Sequence, residues 1–257
     1  MKALITGAAS GIGLALAGIL AKKCAARGGL MLVDRDEQGL TAACDSLAGS
    51  GAKILMRTAD LSDPEAPRRV VEEAARELGG LDGIASNAGM IHSAPLVSLA
   101  VAEFDRIFAV NARATWLLGK AAHPLLKESR GALVATASVS AEHPTPPLGG
   151  YSASKAALVM LVQQMAVEWG PDGIRCNCVS PGPTLTPMTA VAYSNPRMKQ
   201  QRESNIPLRR LAEPQDIANA IAFLMSPEGA YISGVNLMVD GGMSQCLMPA
   251  TGSGGGH

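Results

Sequence analysis

Thr6-Gly7-Ala8-Ala9-Ser10-Gly11-Ile12-Gly13 is the stretch on which the fold turns. It follows an aliphatic run, Lys2–Thr6, and opens a helical pattern over 12–26. Small residues at such a junction let the backbone approach a diphosphate, whose charge is stabilised by free N–H groups and the helix dipole. Gly7, Ser10, Gly11, Ile12 and Gly13 are therefore candidate cofactor contacts. The spacing Gly-x3-Gly-x-Gly departs from the G-x-G-x-x-G dinucleotide fingerprint, so the match is one of mechanism and not of spacing. The next run, Leu30–Asp34, ends in a carboxylate where an adenosine ribose would present its hydroxyls and where a 2′-phosphate would meet negative charge. The plainer alternative is a turn acid feeding Asp36-Glu37. Arg35 could partner a phosphate, but the loop itself holds no basic residue. Asp34 thus reads as the NAD-selecting residue.

Outward from this unit the pattern repeats. Lys53–Arg57, Gly83–Asn87, Ala132–Ala137, Ile174–Ser180 and Asn236–Asp240 read as further strands, with helical periodicity over 37–48, 64–78, 101–128, 152–169 and 214–226. Strands separated by helices imply right-handed βαβ units and a parallel sheet covered on both faces. No linker composition divides the chain, so one α/β domain is expected over 1–245, doubly wound and Rossmann-like. Within it, 183–210 carries several prolines and a polar mix and reads as a lid over the sheet's carboxyl edge. Residues 246–257 read as a tail whose Gly-rich end (251–257) is expected to be flexible.

Composition removes other classes. Hydrophobic residues make up 47% and charged residues 17% of the 257, which excludes a disordered chain. Lys+Arg 22 balances Asp+Glu 22, leaving no electrostatic footprint for nucleic acid or an anionic membrane. Five cysteines make no disulfide framework, and Cys176 and Cys178, two apart in an apolar run, read as small buried hydrophobes. The four histidines are scattered, and no metal is expected. With no signal-like N-terminus and no membrane-length apolar run, the expected compartment is the cytoplasm.

The reactive candidates lie further on. Tyr151-Ser152-Ala153-Ser154-Lys155 opens the helix at 152–169, and positions i and i+4 share a face. Ser138 sits at the end of the fifth strand, so phenol, ammonium and hydroxyl converge on the carboxyl edge, where open α/β sheets bind ligands.

These residues together resemble the short-chain dehydrogenase/reductase family over nearly the whole chain. TGAASGIG (6–13) resembles its cofactor loop, Asp60-Leu61 its adenine-contacting pair, and Asn87-Ala88-Gly89 its NNAG motif with Ser86 in place of the first Asn. Asn111, Ser138, Tyr151 and Lys155 fall where the family's catalytic tetrad falls. Pro181-Gly182 with Thr184 and Thr186 resembles its segment beside the nicotinamide, and Asp240-Gly241-Gly242 its final strand. The resemblance implies a doubly wound sheet of seven strands, reversible oxidation of an alcohol with a nicotinamide cofactor, and a dimer or tetramer; with Asp34, the leading reading is NAD-dependent oxidation of a secondary alcohol or reduction of its ketone. Asn111, inside an apolar helix, would support a water in a proton relay; its alternative is a core amide satisfied by nearby backbone. Trp116 and Trp169, on helices with more apolar surface than one sheet contact covers, support the homo-oligomer.

A phenol with a pKa of about 10 is a poor base at neutral pH. An ammonium about 4 Å away, at an effective dielectric of about 20, is worth about 4 kcal/mol, or about three pKa units. Lys155 is thus expected to bring Tyr151 near 7 and to hold the nicotinamide ribose, while Ser138 hydrogen-bonds the substrate oxygen. Ser140 reads as an ordinary pocket residue with a helper role as its alternative, and His92 and His143 as solvated loop histidines whose alternative is to line the substrate site. Two alternatives stand: an NADPH-linked reductase of 3-oxoacyl groups on a carrier protein, for which Arg197, Lys199, Arg202, Arg209 and Arg210 would form a basic patch, and a catalytically silent nucleotide sensor. The substrate surface is expected from 90–96, 139–150 and 183–210.

Overall fold

The computed structural model describes residues 1–24 and 28–246. Strand β1 (Lys2–Thr6) lies in the middle of a seven-stranded, all-parallel sheet. β2 (Gly29–Asp34) and β3 (Lys53–Thr58) extend it on one side; β4 (Gly83–Ser86), β5 (Ala132–Thr136), β6 (Arg175–Pro181) and β7 (Asn236–Val239) extend it on the other. The order is β3-β2-β1-β4-β5-β6-β7, so the winding reverses between β1 and β4. That reversal opens a crevice at the strands' carboxyl ends, the place where such sheets bind ligands.

Strand alternation sorts the core into two layers. Leu4, Ile84, Leu133, Cys176 and Cys178 face α3 (Ala66–Leu78), α5 (Ala114–Ser129) and α6 (Tyr151–Trp169). Ala3, Ile5, Leu32, Val134 and Val179 face α1 (Gly11–Lys23), α2 (Glu37–Leu47) and α8 (Pro214–Met225). Both faces of every central strand are buried, which is why these strands read as continuous apolar runs. The edge strand β3 is partly exposed.

The expected elements are all present, with ends moved by up to three residues. The expected helix at 101–128 is a composite: α4 (Val101–Phe108), a π-helical turn (Ala109–Arg113) and α5. The π turn carries Asn111, and such turns occur often at functional sites. Asp240-Gly241-Gly242 is the turn after β7 rather than part of that strand. The 183–210 segment is not irregular throughout, since it contains α7 (Pro196–Ser204), started by Asn195, whose Oδ1 accepts hydrogen bonds from the backbone N–H groups of Arg197 and Met198. Trp169 does not lie on an open helix face: it is half-buried against Gly119 and edge-on to His123, whereas Trp116 is exposed. Beyond Cys246 the expected tail, including its Gly-rich end, lies outside the described residues, as do residues 25–27 at the end of the first helical pattern.

Candidate active site

A cleft of about 970 Å³ runs along the carboxyl ends of the strands. Its cofactor wall begins with the loop after β1. Gly7 and Gly11 take left-handed backbone (φ 65° and 55°), and a Cβ on Gly7 would lie 3.0 Å from the Ala88 backbone. Gly13 does not line the cleft. It seats α1 on the loop, where a Cβ would come within 2.1 Å of the Gly7 carbonyl. Ser10 precedes the helix without capping it through its side chain, and no acidic residue occupies the first turn. The amides at this end are thus left for a ligand, and the site fits a diphosphate.

Asp34, at the end of β2, is fixed by backbone donors. Its Oδ2 accepts from Ala9 N at 3.1 Å; Oδ1 accepts from Arg35 N at 2.7 Å and Asp36 N at 3.2 Å. It is both a turn acid and a cleft-lining carboxylate, so the two readings of this residue do not compete. Asp60 lines the same end, its carboxyl held low by the hydrogen bond from Ser62 and by the charges of Arg106 and Arg35. Leu61 packs beside it, buried against Ala66 and Ala114.

A chain of hydrogen bonds joins this wall to the reactive residues. Thr6 Oγ1 accepts from Asn87 N and Ala88 N, each at 3.0 Å. Asn87 Nδ2 donates to the Gly7 carbonyl at 3.2 Å, and Thr136 Oγ1 donates to Asn87 Oδ1 at 2.9 Å. Lys155 Nζ then donates to the Thr136 carbonyl at 2.7 Å. Thr6 and Thr136 were not singled out from the sequence. The available signal was position, since each closes a buried strand at the sheet's carboxyl edge. Ser86 bonds Thr115 behind the wall at 2.7 Å, so its departure from the family motif leaves Asn87 in place.

Ser138 caps the short turn after β5, its Oγ accepting from Ser140 N at 3.1 Å. Tyr151 is the first residue of α6, and Lys155 follows one turn later on the same face, buried at 3% exposure. Burial pushes the Tyr151 phenol up from the usual tyrosine range, and its hydrogen bond with Ser138 pulls the other way. The expected downward shift towards 7 is therefore not present in the chain alone. Lys155 Nζ stands 5.9 Å from the Tyr151 ring centre and is engaged with Thr136. Burial lowers Lys155 itself to about 8. At neutral pH the site thus holds a protonated phenol beside a largely charged ammonium.

Asn111 is buried behind the cleft rather than on its surface. Its Nδ2 donates to the Met90 carbonyl and to Ser154 Oγ, each at 3.0 Å, and its Oδ1 accepts from Met90 N at 2.8 Å. The amide clamps the Asn87–Met90 turn to α6. Ser154 is the other residue that sequence reading passed over, although it lies inside the Tyr151–Lys155 motif. A Cβ on Gly89 would lie 3.4 Å from Asn111 Oδ1 and 3.5 Å from Lys155 Nζ, so Gly89 leaves these two groups facing one another.

Pro181 and Gly182 pass close to Asp240, and Thr184 and Thr186 follow in a turn tied by Thr189. All four line the cleft, as do Met90, Ser140, Thr145, Met188 and Tyr193 from the expected substrate segments. His92 and His143 do not. Among the described residues no cluster of three His, Cys, Asp or Glu side chains could hold a metal, and no helix is long and apolar enough to cross a membrane.

A family model described as Enoyl-(Acyl carrier protein) reductase matches residues 7–244. The chain is 35% identical over 245 residues to 4-formylbenzenesulfonate dehydrogenase TsaC1/TsaC2 of Comamonas testosteroni, covering 93% of this chain and 96% of that protein. It is 35% identical over 251 residues to the vibriobactin-specific 2,3-dihydro-2,3-dihydroxybenzoate dehydrogenase of Vibrio cholerae, covering 94% and 95%. The solved structure of 3-ketoacyl-(acyl-carrier-protein) reductase from Brucella melitensis, complexed with NADH, superposes with a TM-score of 0.84 at 33% identity, covering 95% of this chain and 98% of that one. The chain belongs to the short-chain dehydrogenase/reductase family. It is an oxidoreductase of a family that uses a nicotinamide cofactor.

Proposed function

We propose that this chain is an NAD(H)-dependent dehydrogenase of a small ring-borne secondary alcohol, working reversibly on the corresponding ketone. The observation that carries the reading is that Ser138, Tyr151 and Lys155 line the same cleft as the glycine loop and Asp34. Gly7, Ser10, Gly11 and Ile12 would hold the diphosphate, Asp34 the adenosine ribose, and Asp60 and Leu61 the adenine end. Asn87, Ala88, Gly89, Pro181, Gly182, Thr184 and Thr186 would bound the nicotinamide end. The bound nicotinamide supplies the hydride acceptor or donor.

The side chains do the rest. Tyr151 moves the proton between the substrate oxygen and its own phenol oxygen. Ser138, oriented by Ser140 N, donates to the substrate oxygen as charge develops there. Lys155 is held by Thr136 with two N–H donors left, for the ribose and for stabilising the phenolate. Asn111 supports this set by fixing Met90 and Ser154, the two groups that its amide bonds. Segment 183–210 closes the substrate side as a lid. The exposed Trp116 and Phe104 on the α4–α5 run support a homo-oligomer, which the mass by light scattering would test.

The ring preference draws on the two relatives' names, both of which denote ring compounds. The carrier-linked reductase is supported by the family description and the Brucella structure. Against it, most of the basic patch is spent within the chain: Lys199 pairs with Glu203, Arg210 with Asp216, and Arg209 bonds the Ser204 carbonyl. Initial rates of NADH formation across cyclic alcohols, polyols and hydroxy acids test the reading. A chain inert on all of them, yet reducing an acyl thioester with NADPH, would overturn it. Inertness in both assays would return the nucleotide sensor.

A further inference from the structure

Seven charged side chains line the cleft, and their distribution is uneven. Asp34, Arg35, Asp36, Asp60 and Arg106 gather at the ends of β2 and β3 and on α4, where carboxylates and guanidinia face each other; Arg106 lies 3.7 Å from Asp60. Lys155 is central and bonded to Thr136. The seventh, Arg202, stands apart in the last turn of α7, in the segment that leaves the sheet after β6 on the far side of the switch point.

Among the described residues Arg202 forms no ion pair within 4 Å, and its guanidinium makes no hydrogen bond. The nearest acid in sequence, Glu203, is taken by Lys199 at 3.8 Å. Glu142, at the end of the 138–142 turn, does not line the cleft and accepts from Asn236 Nδ2 at 2.8 Å. Apart from Arg202, the cleft residues contributed by 183–210 and 145–148 are apolar or hydroxyl-bearing, Met188, Val191, Tyr193, Leu148 and Thr145 among them. Tyr193 is half-buried and feels the Arg202 charge. A guanidinium and a phenol thus sit together on the lid, offering donors towards a space with no carboxylate in it.

Resting on the dehydrogenase reading above, we infer that the substrate carries an anionic substituent of the carboxylate type, which Arg202 receives while Tyr151 and Ser138 hold the reacting oxygen at the other end. An exposed cation on an otherwise uncharged wall selects an acid over its neutral analogue, because the guanidinium fork matches two oxyanion oxygens. Arg202, the one charge from 183–210 that lines the cleft among the described residues, then sets substrate class as well as position.

The test uses holoenzyme with NADH and two probes of one shape, cyclohexanecarboxylate and cyclohexanecarboxamide, titrated calorimetrically. The acid is expected to bind about tenfold tighter than the amide, a preference that weakens on adding salt. Arg202→Gln removes that preference; Arg202→Lys keeps part of it. Arg197→Gln, on the same helix but not lining the cleft, leaves it in place. Equal binding of the two probes, no measurable binding of the acid, or a preference unmoved in Arg202→Gln would overturn the inference. None of these readouts needs turnover, so failure of the alcohol panel, which strikes the dehydrogenase reading, stays distinguishable from failure here.

Discussion

The two walls of the cleft are built differently. The sheet-edge wall is buried and cross-bonded: Gly7, Asn87, Thr136 and Lys155 form one continuous hydrogen-bonded chain across β1, β4 and β5. The lid wall has α7 with no buried residue, and Met188, Val191 and Met198 stand more than half exposed. The first wall ties its groups together by hydrogen bonds; the second presents exposed side chains that few contacts hold. On the proposed reading, chemistry and cofactor geometry would belong to the first and substrate selection to the second.

The sharpest way to break that division is at Tyr151. Tyr151→Phe keeps the ring and removes the proton carrier, and turnover should fall at least about a hundredfold while NADH still binds, read by nucleotide fluorescence. Near-normal turnover would move the acid/base role elsewhere. In the wild type, ketone reduction should also fall as pH rises through about 8, where Lys155 loses the charge that stabilises the phenolate left after proton donation. The sign follows from burial, which favours the neutral amine; a reduction rate rising across that range contradicts it.

Asp34 tests the cofactor end of the same wall. The wild type should prefer NAD over NADP in kcat/KM by at least about a hundredfold, about 2.7 kcal/mol. Asp34→Ser should narrow or invert that ratio, with Arg35 left to meet a 2′-phosphate. It should also weaken NAD binding, because the glycine loop loses its tie from Ala9 N to the carboxylate. A ratio unmoved by the change would leave Asp34 with its turn role alone.

Gly13→Ala probes packing without touching the cleft surface. The new methyl would meet the Gly7 carbonyl, so overpacking should cost about 1–3 kcal/mol, seen as a lower Tm and a raised KM for NAD. The lid should give the smallest response. Met188→Ala, at 55% exposure, should change stability by less than about 0.5 kcal/mol while shifting substrate KM. A large Tm loss there would mean that the lid is as rigid as the sheet edge and that the contrast fails.

Much of the first wall was legible in the chain before any coordinates. Strand-loop-helix order placed the glycine loop and Asp34, and the i, i+4 spacing put Tyr151 and Lys155 on one face, since both rest on local periodicities. Asn111 was legible as an oddity, an amide inside an apolar helix. Its purpose was not, because the π turn that carries it and the Met90 and Ser154 groups that satisfy it come together only through packing.

The set of elements, their parallel winding and the chemistry-bearing residue types follow from short-range patterns and from chain connectivity. How those groups are charged and paired was set by packing in three dimensions. It raised the Tyr151 phenol by burial where spacing alone argued for lowering, and it gave Lys155 a carbonyl partner nineteen residues away. It engaged three of the five basic residues of 183–210 within the chain and left Arg202 lining the cleft with no ion pair among the described residues. Solvation and pairing depend on which distant segments meet, and no local pattern encodes that distance.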